Sequence, residues 1–217
     1  MIEDTSLEDL RLRLAPLIAE AAVFDGWSAQ AVQAAADQAG VDPDVAAYAF
    51  RSGAMDMVAA WVASTDRAMA RALPAAELAL LPVRERIRRL VWYRLEAVLG
   101  REEALSRALA IMAMPQNVTT ALRLGWRSAD VMWRLAGDTA TDYNHYTKRA
   151  ILAGIYAATL AVFAEDTSEG KADSRAFLDR RINDIIKFEK TKAQILRSPD
   201  DRFSMSRFLG RLRYPAR

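Results

Sequence analysis

Apolar residues along the chain recur at spacings of three and four, and no alternation of apolar and polar residues survives more than a few positions. The pattern predicts an all-helical protein. Leu7 to Phe24 reads as a first helix, ended by Asp25-Gly26, and Ser28 caps a second over Ala29 to Ala39, closed by Gly40. Asp42-Pro43, a cap followed by proline at the first helical position, starts a short third helix running to about Phe50. These three short helices form a helix-turn-helix-like unit over residues 1–53. Further helices follow over Ala54–Leu73, Val83–Leu99, Arg101–Met114, Asn117–Ala136, Asp142–Glu165 and Ser174–Leu196, with a short segment between Pro74 and Pro82. Asp166 to Asp173, polar and without apolar anchors, reads as a linker, and Ser198-Pro199-Asp200-Asp201 as a break. The expected organisation is one helical domain over residues 1–197 and a tail over 198–217.

The stretch Asp130 to Thr159 organises the rest. Gly137 closes one helix, and Asp138, Thr141 and Asp142 suit the start of the next, where side-chain oxygens accept from free N–H groups and carboxylates meet the positive dipole end. The following helix carries Tyr146, Ile151, Ile155, Leu160 and Phe163 with several alanines and few charges, as a central helix would. Trp, Tyr, His, Asn and Asp gather at this corner more densely than packing requires. The run Arg84, Arg86, Arg88 and Arg89, with Glu85, Arg94 and Glu96 on the same helix, reads as a solvated face.

Composition narrows the chemistry. The 217 residues contain no cysteine and one histidine, which removes disulfides, thiolate nucleophiles and sites needing two imidazoles. No acid/base pair, activated nucleophile or glycine-rich phosphate loop is visible, so neither an enzyme nor a cofactor or metal is expected. The N-terminus is acidic where a targeting signal would be basic, and no run of 18 uncharged apolar residues occurs, so a soluble, non-spanning chain is expected. Charge is polarised: residues 1–50 hold nine acids against two arginines, while residues 171–217 hold thirteen Lys or Arg against six acids. An acidic head avoids phosphate surfaces and a basic tail seeks them.

The tail has its own pattern. Met205, Phe208, Leu209 and Leu212 stand at i, i+3, i+4 and i+7, with Arg202, Arg207, Arg211 and Arg213 around them, as in an interfacial helix with an apolar face in acyl chains and arginines at phosphates.

The N-terminal stretch AAVFDGWSAQAVQAAADQAGVDPDVAAYAF resembles the DNA-binding head of tetracycline-repressor-type regulators. Its third helix opens with Asp42-Pro43-Asp44 and offers Arg51 alone beyond it, a poor surface for duplex phosphates. The longer pattern resembles the accessory lipid-binding proteins of ubiquinone (coenzyme Q) biosynthesis. It is carried by residues 110–117 (AIMAMPQN), Met132-Trp133, Ala136-Gly137-Asp138, Thr141-Asp142, Asn144, Tyr146-Thr147-Lys148-Arg149, Leu152-Ala153, Ile155-Tyr156, Phe177-Leu178 and Arg181-Ile182-Asn183-Asp184.

That resemblance implies a repressor-like helical bundle that binds an isoprenoid quinone intermediate or phospholipid without catalysing its conversion. It also implies delivery of the quinone to a membrane-associated, quinone-modifying hydroxylase. Met112, Met114, Met132, Trp133, Ile155 and Tyr156 are the candidate lipid contacts, since methionine adapts to irregular apolar ligands. Asp142, Asn144, His145 and Tyr146 are the candidate partner contacts, and residues 202–213 the contact with an anionic membrane surface. The expected setting is cytoplasmic, at the inner face of the membrane, without nucleic acid and with a homodimer left open. The alternative is a ligand-responsive DNA-binding regulator.

Overall fold

Side-chain caps set the first three helices. Ser6 Oγ accepts from Asp9 N–H at 3.1 Å to open α1 (Leu7–Asp25), Ser28 Oγ from Ala31 N–H at 3.4 Å to open α2 (Ala29–Ala39), and Asp42 Oδ1 from Asp44 N–H at 2.8 Å to open α3 (Pro43–Ala49). Gly40 closes α2 in the left-handed conformation, with Val41 N–H reaching back to Ala36 O at 2.9 Å. The computed structural model describes residues 6–140 and 143–197. Its remaining helices are α4 (Ala54–Ala72), α5 (Ala75–Leu78), α6 (Val83–Glu96), α7 (Glu102–Ala113), α8 (Val118–Leu135), α9 (Tyr143–Glu165) and α10 (Ala172–Arg197), with a 3-10 turn at Glu169–Lys171 before α10. No strand occurs among the described residues, and the all-α expectation holds.

Spatial contacts divide the chain into two units, Met1–Asp179 and Arg180–Arg217, so α10 begins in the first and continues in the second. In the first, α1 lies on α2, α4 and α7, α4 also meets α6 and α8, and α8 runs against α9. Trp27 and Trp61 join the head to the bundle with ring centroids 5.2 Å apart, and Trp27 Nε1–H donates to Ala104 O at 3.0 Å. Burying aromatics of this size dominates local packing energy, and the indole N–H keeps a partner while buried. In the second unit Arg181 Nη2 lies 3.4 Å from Asp184 Oδ2.

α9 is long and apolar enough by composition to cross a bilayer, with mean hydropathy 1.3 over His145–Glu165. Its Leu152, Tyr156, Leu160 and Phe163 are nevertheless buried in the bundle, as is the charged Arg149.

Two expectations change. The arginine run on α6 is not wholly a solvated face: Arg86 donates to Leu81 O and Ala136 O at 2.7 Å each and to Ala79 O at 3.0 Å, gathering carbonyls left without helical partners. Arg94, on the same helix, is 2% exposed and paired with Asp66. Residues 166–173 form a knitted turn rather than a linker. Asp166 is buried and accepts from Ser168 N–H and Ser174 N–H at 2.8 Å each, while Lys171 Nζ donates to Asp166 O at 2.7 Å. Burial pushes the Asp166 carboxyl up, but the hydrogen bonds from Ser168 and Ser174 outweigh it and hold the group well below the usual carboxylate range.

Candidate functional site

Helices α4, α6, α7, α8 and α9 line a surface-open cavity of about 660 Å³, within the size range of small-molecule sites. Large apolar side chains bound it: Trp61 from α4, Leu109 and Met112 from α7, Trp126 from α8 and Leu160 from α9. The space itself comes from small residues. On α9, Ala150, Ala153, Gly154 and Ala157 stand at i, i+3, i+4 and i+7, so one helical stripe with little side-chain volume lines the cavity. Gly125 and Gly154 deepen the gap, since a Cβ placed on either would meet no atom of another residue's packing within 4 Å.

Against this apolar lining stands one ionised side chain, Arg94 from α6. Its Nη1 is paired with Asp66 Oδ1, and Asp66 Oδ2 accepts from Ser128 Oγ at 3.0 Å. The guanidinium carbon lies 4.7 Å from the centroid of the Tyr156 ring, a cation–π arrangement on the cavity wall. Burial pushes the Asp66 carboxyl up, and Arg94 and Ser128 offset that only in part. Arg94 Nε is buried with no hydrogen-bond partner.

The α8–α9 corner adjoins the cavity. Gly137 takes φ 87° and Asp138 N–H returns to Trp133 O at 2.9 Å, closing α8 as its sequence suggested. Asp138 also anchors α9 by charge, with Oδ1 2.7 Å from Lys148 Nζ and Oδ2 3.0 Å from Arg149 Nη1. Arg149 donates through Nε to Asp130 Oδ1 at 2.6 Å and through Nη1 to His145 O at 3.1 Å. For both carboxyls burial acts upward, yet hydrogen bonds from these cations hold Asp130 and Asp138 below their ordinary values. Outside this buried clamp Tyr146 is 61% exposed. Its ring centroid lies 5.1 Å from His145 and 6.0 Å from Trp126, and His145 Nδ1 is 2.9 Å from Ala140 O. Trp126 therefore belongs to both the cavity wall and the exposed aromatic cluster.

The COQ9 family model matches residues 118–189, the segment that holds α8, the corner, α9 and most of α10. Over 197 residues, 88% of this chain, the sequence is 33% identical to the ubiquinone biosynthesis protein COQ9, mitochondrial, of Rattus norvegicus and 32% identical to that of Homo sapiens. Over most of its length the chain is similar to COQ9 proteins.

It spans less than two thirds of those curated COQ9 relatives, 63% of the rat protein and 62% of the human one. Among solved structures, the fold is similar to the crystal structure of a TetR transcriptional regulator from Nitrosomonas europaea, with a TM-score of 0.63, 20% identity, and coverage of 80% of this chain and 96% of that one. At that identity the likeness concerns the fold, and the repressor-like architecture expected from the sequence is confirmed.

Of the six candidate lipid contacts, Met112 and Tyr156 line the cavity. Met132 is fully buried, Met114 is exposed on the surface, and Trp133 donates through Nε1 to Lys148 O at 3.0 Å with Lys148 Nζ 5.4 Å from its ring. Met114, Met132, Trp133 and Ile155 are not among the cavity's lining residues. Among the candidate partner contacts, His145 and Tyr146 meet at the corner, while Asp142 and the side chain of Asn144 lie outside the described residues. The candidate membrane contacts Arg202, Met205, Arg207, Phe208, Leu209, Arg211, Leu212 and Arg213 also lie outside them. Sequence reasoning missed the small-residue stripe of α9 and the buried Arg94. The stripe had a signal in its i, i+3, i+4, i+7 spacing; Arg94 did not, because its partner Asp66 lies on another helix.

Proposed function

We propose that this COQ9-like chain is a non-catalytic lipid carrier of ubiquinone biosynthesis, which holds an isoprenoid quinone intermediate or phospholipid in the α4–α6–α7–α8–α9 cavity and presents it to a quinone-modifying hydroxylase at a membrane. The observation that carries the reading is the cavity itself: about 660 Å³ of apolar-walled space with a single ionised group on its wall. Such a volume, left empty in water, is a standing cost that an apolar ligand removes. The names of the COQ9 relatives supply the pathway. The exposed Tyr146 cluster, joined to the cavity through Trp126, suits the partner, and the apolar stripe of residues 202–213 with its flanking arginines suits an anionic surface on the inner face of the cytoplasmic membrane.

Native mass spectrometry of the purified chain tests the reading. A neutral lipid should co-purify and be lost in Ala153→Glu, which sets a carboxylate on the cavity wall; recovery of no lipid from the unaltered chain overturns the carrier. Tyr146→Ala should keep fold and lipid while weakening capture of the hydroxylase. The regulator alternative loses ground on the α3 surface, where Asp44 is exposed and the Asp42 carboxylate caps the helix end that would approach duplex phosphates. Tight, salt-sensitive, sequence-preferring DNA binding in an anisotropy titration would reverse that order.

A further inference from the structure

A buried arginine is an unusual wall for a lipid cavity. Arg94 is 2% exposed, and among the described residues lining the cavity it alone carries a full charge. Its charge is balanced by Asp66, whose second oxygen is already occupied by the Ser128 hydroxyl at 3.0 Å. The carboxylate therefore has its partners, whereas the guanidinium does not: Nε–H is enclosed by protein and has no acceptor. Buried donors are nearly always satisfied, and one left open beside a ligand cavity calls for an account. Tyr156 lies beside the guanidinium with its ring centroid 4.7 Å away and its hydroxyl interacting with the same group, which still leaves Nε without an acceptor.

We infer that Arg94 is the headgroup-reading residue of the cavity, donating to an uncharged oxygen acceptor, a ring or chain carbonyl, on an otherwise apolar ligand. Entry of the ligand turns the guanidinium on its Asp66 anchor, so that the fork gains the acceptor it lacks. Charge decides which acceptor. The Arg94–Asp66 pair is neutral as a whole, so a carbonyl leaves the cavity neutral, while a carboxylate would bring an uncompensated negative charge into an apolar space. A plain hydrocarbon would fill the volume and leave the donor open. This inference rests on the lipid-carrier reading and adds the chemical class of the ligand's polar end.

Binding of three probes of equal chain length, dodecan-2-one, dodecane and dodecanoate, to the delipidated full chain tests it through the emission of Trp61 and Trp126, which line the cavity. The ketone should bind about tenfold tighter than the alkane, equivalent to about 1.4 kcal/mol, with dodecanoate no tighter than the alkane. Removing the pair together in Asp66→Asn/Arg94→Met avoids stranding a buried charge, and should erase the ketone preference while dodecane affinity stays within about twofold. Should that variant fail to fold, Arg94→Lys decides, because it keeps the charge opposite Asp66 but loses the planar fork. An undiminished ketone preference in the variant that decides, or dodecanoate binding more tightly than the ketone, overturns the assignment. Equal binding of ketone and alkane by the unaltered chain removes the role of Arg94 and leaves the lipid cavity standing. Binding of none of the three removes both.

Discussion

Replacing Arg149 with methionine tests whether the α8–α9 corner is held by charge. Arg149 is 1% exposed and makes three hydrogen bonds, to Asp130, Asp138 and the carbonyl of His145. Breaking a buried pair by deleting one partner costs about 3–5 kcal/mol, because the carboxylates stay behind. Here each carboxylate keeps a second cation, Lys148 Nζ at 2.7 Å from Asp138 and Arg134 Nε at 2.8 Å from Asp130. The cost therefore falls at the low end, about 3 kcal/mol. For a chain of this size that lowers Tm by about 6–12 °C. Circular dichroism and tryptophan emission followed together through thermal unfolding give the number. Arg134→Ala is the control: its side chain is 71% exposed, and its loss should change stability by no more than about 0.5 kcal/mol. Adding Asp138→Asn to Arg149→Met should recover part of the loss by removing one of the two carboxylates that lose the buried guanidinium. A loss below about 1 kcal/mol for Arg149→Met, or simple addition of the two single effects, would refute a charge-held corner.

Further outcomes follow from other contacts. Asp130, Asp138 and Asp166 are held below the usual carboxylate range, so the stability they contribute is fully present above about pH 4 and is lost as pH falls through their depressed folded values. Asp166→Asn should be less stable than the unaltered chain at pH 6 by denaturant titration, with the gap narrowing on acidification; a constant gap removes the linkage. Gly154→Leu should raise Tm slightly by better helix propensity while reducing co-purified lipid, since the added side chain enters open cavity space, and unchanged lipid content would contradict that placement. Gly137→Ala should cost about 1 kcal/mol or more, because φ is 87° and the new Cβ would stand 3.1 Å from Arg86 Nη1. Chemical denaturation checks the size, and a neutral result would mean that the corner relaxes freely.

Local chemistry carried most of what the sequence revealed. Ser28, Asp42, Gly40 and Gly137 act on neighbours within a few residues, so their roles as caps and stops were visible before the fold was known. The same holds for the period of α9. What stayed hidden needed two distant segments at once. Arg94 reads as part of a wet arginine run because its partner Asp66 lies 28 positions away, and Ser128, which donates to Asp66, lies 62 positions from that carboxylate. Arg86 likewise gives one of its donors to a carbonyl 50 residues away. The cavity was half visible: methionine concentration drew attention to Met114 and Met132, but free volume is made by residues that are small, and Ala153 and Gly154 announce nothing by chemistry. Asp166 reads as linker because its serine partners are polar too, and polar composition does not distinguish a solvated segment from one that satisfies itself.

The position of Trp126 has a thermodynamic consequence. Its indole is one wall of the cavity and one member of the tilted ring cluster with Tyr146 and His145. Any molecule that grips the outer rings and shifts that indole alters the free energy of whatever lies inside, and reciprocity requires the contents to alter the outer affinity by the same factor. Under the proposed carrier function, a loaded and an empty chain would then differ in how strongly they hold a molecule docked on those rings, and that molecule, by binding, would change how readily the cargo leaves.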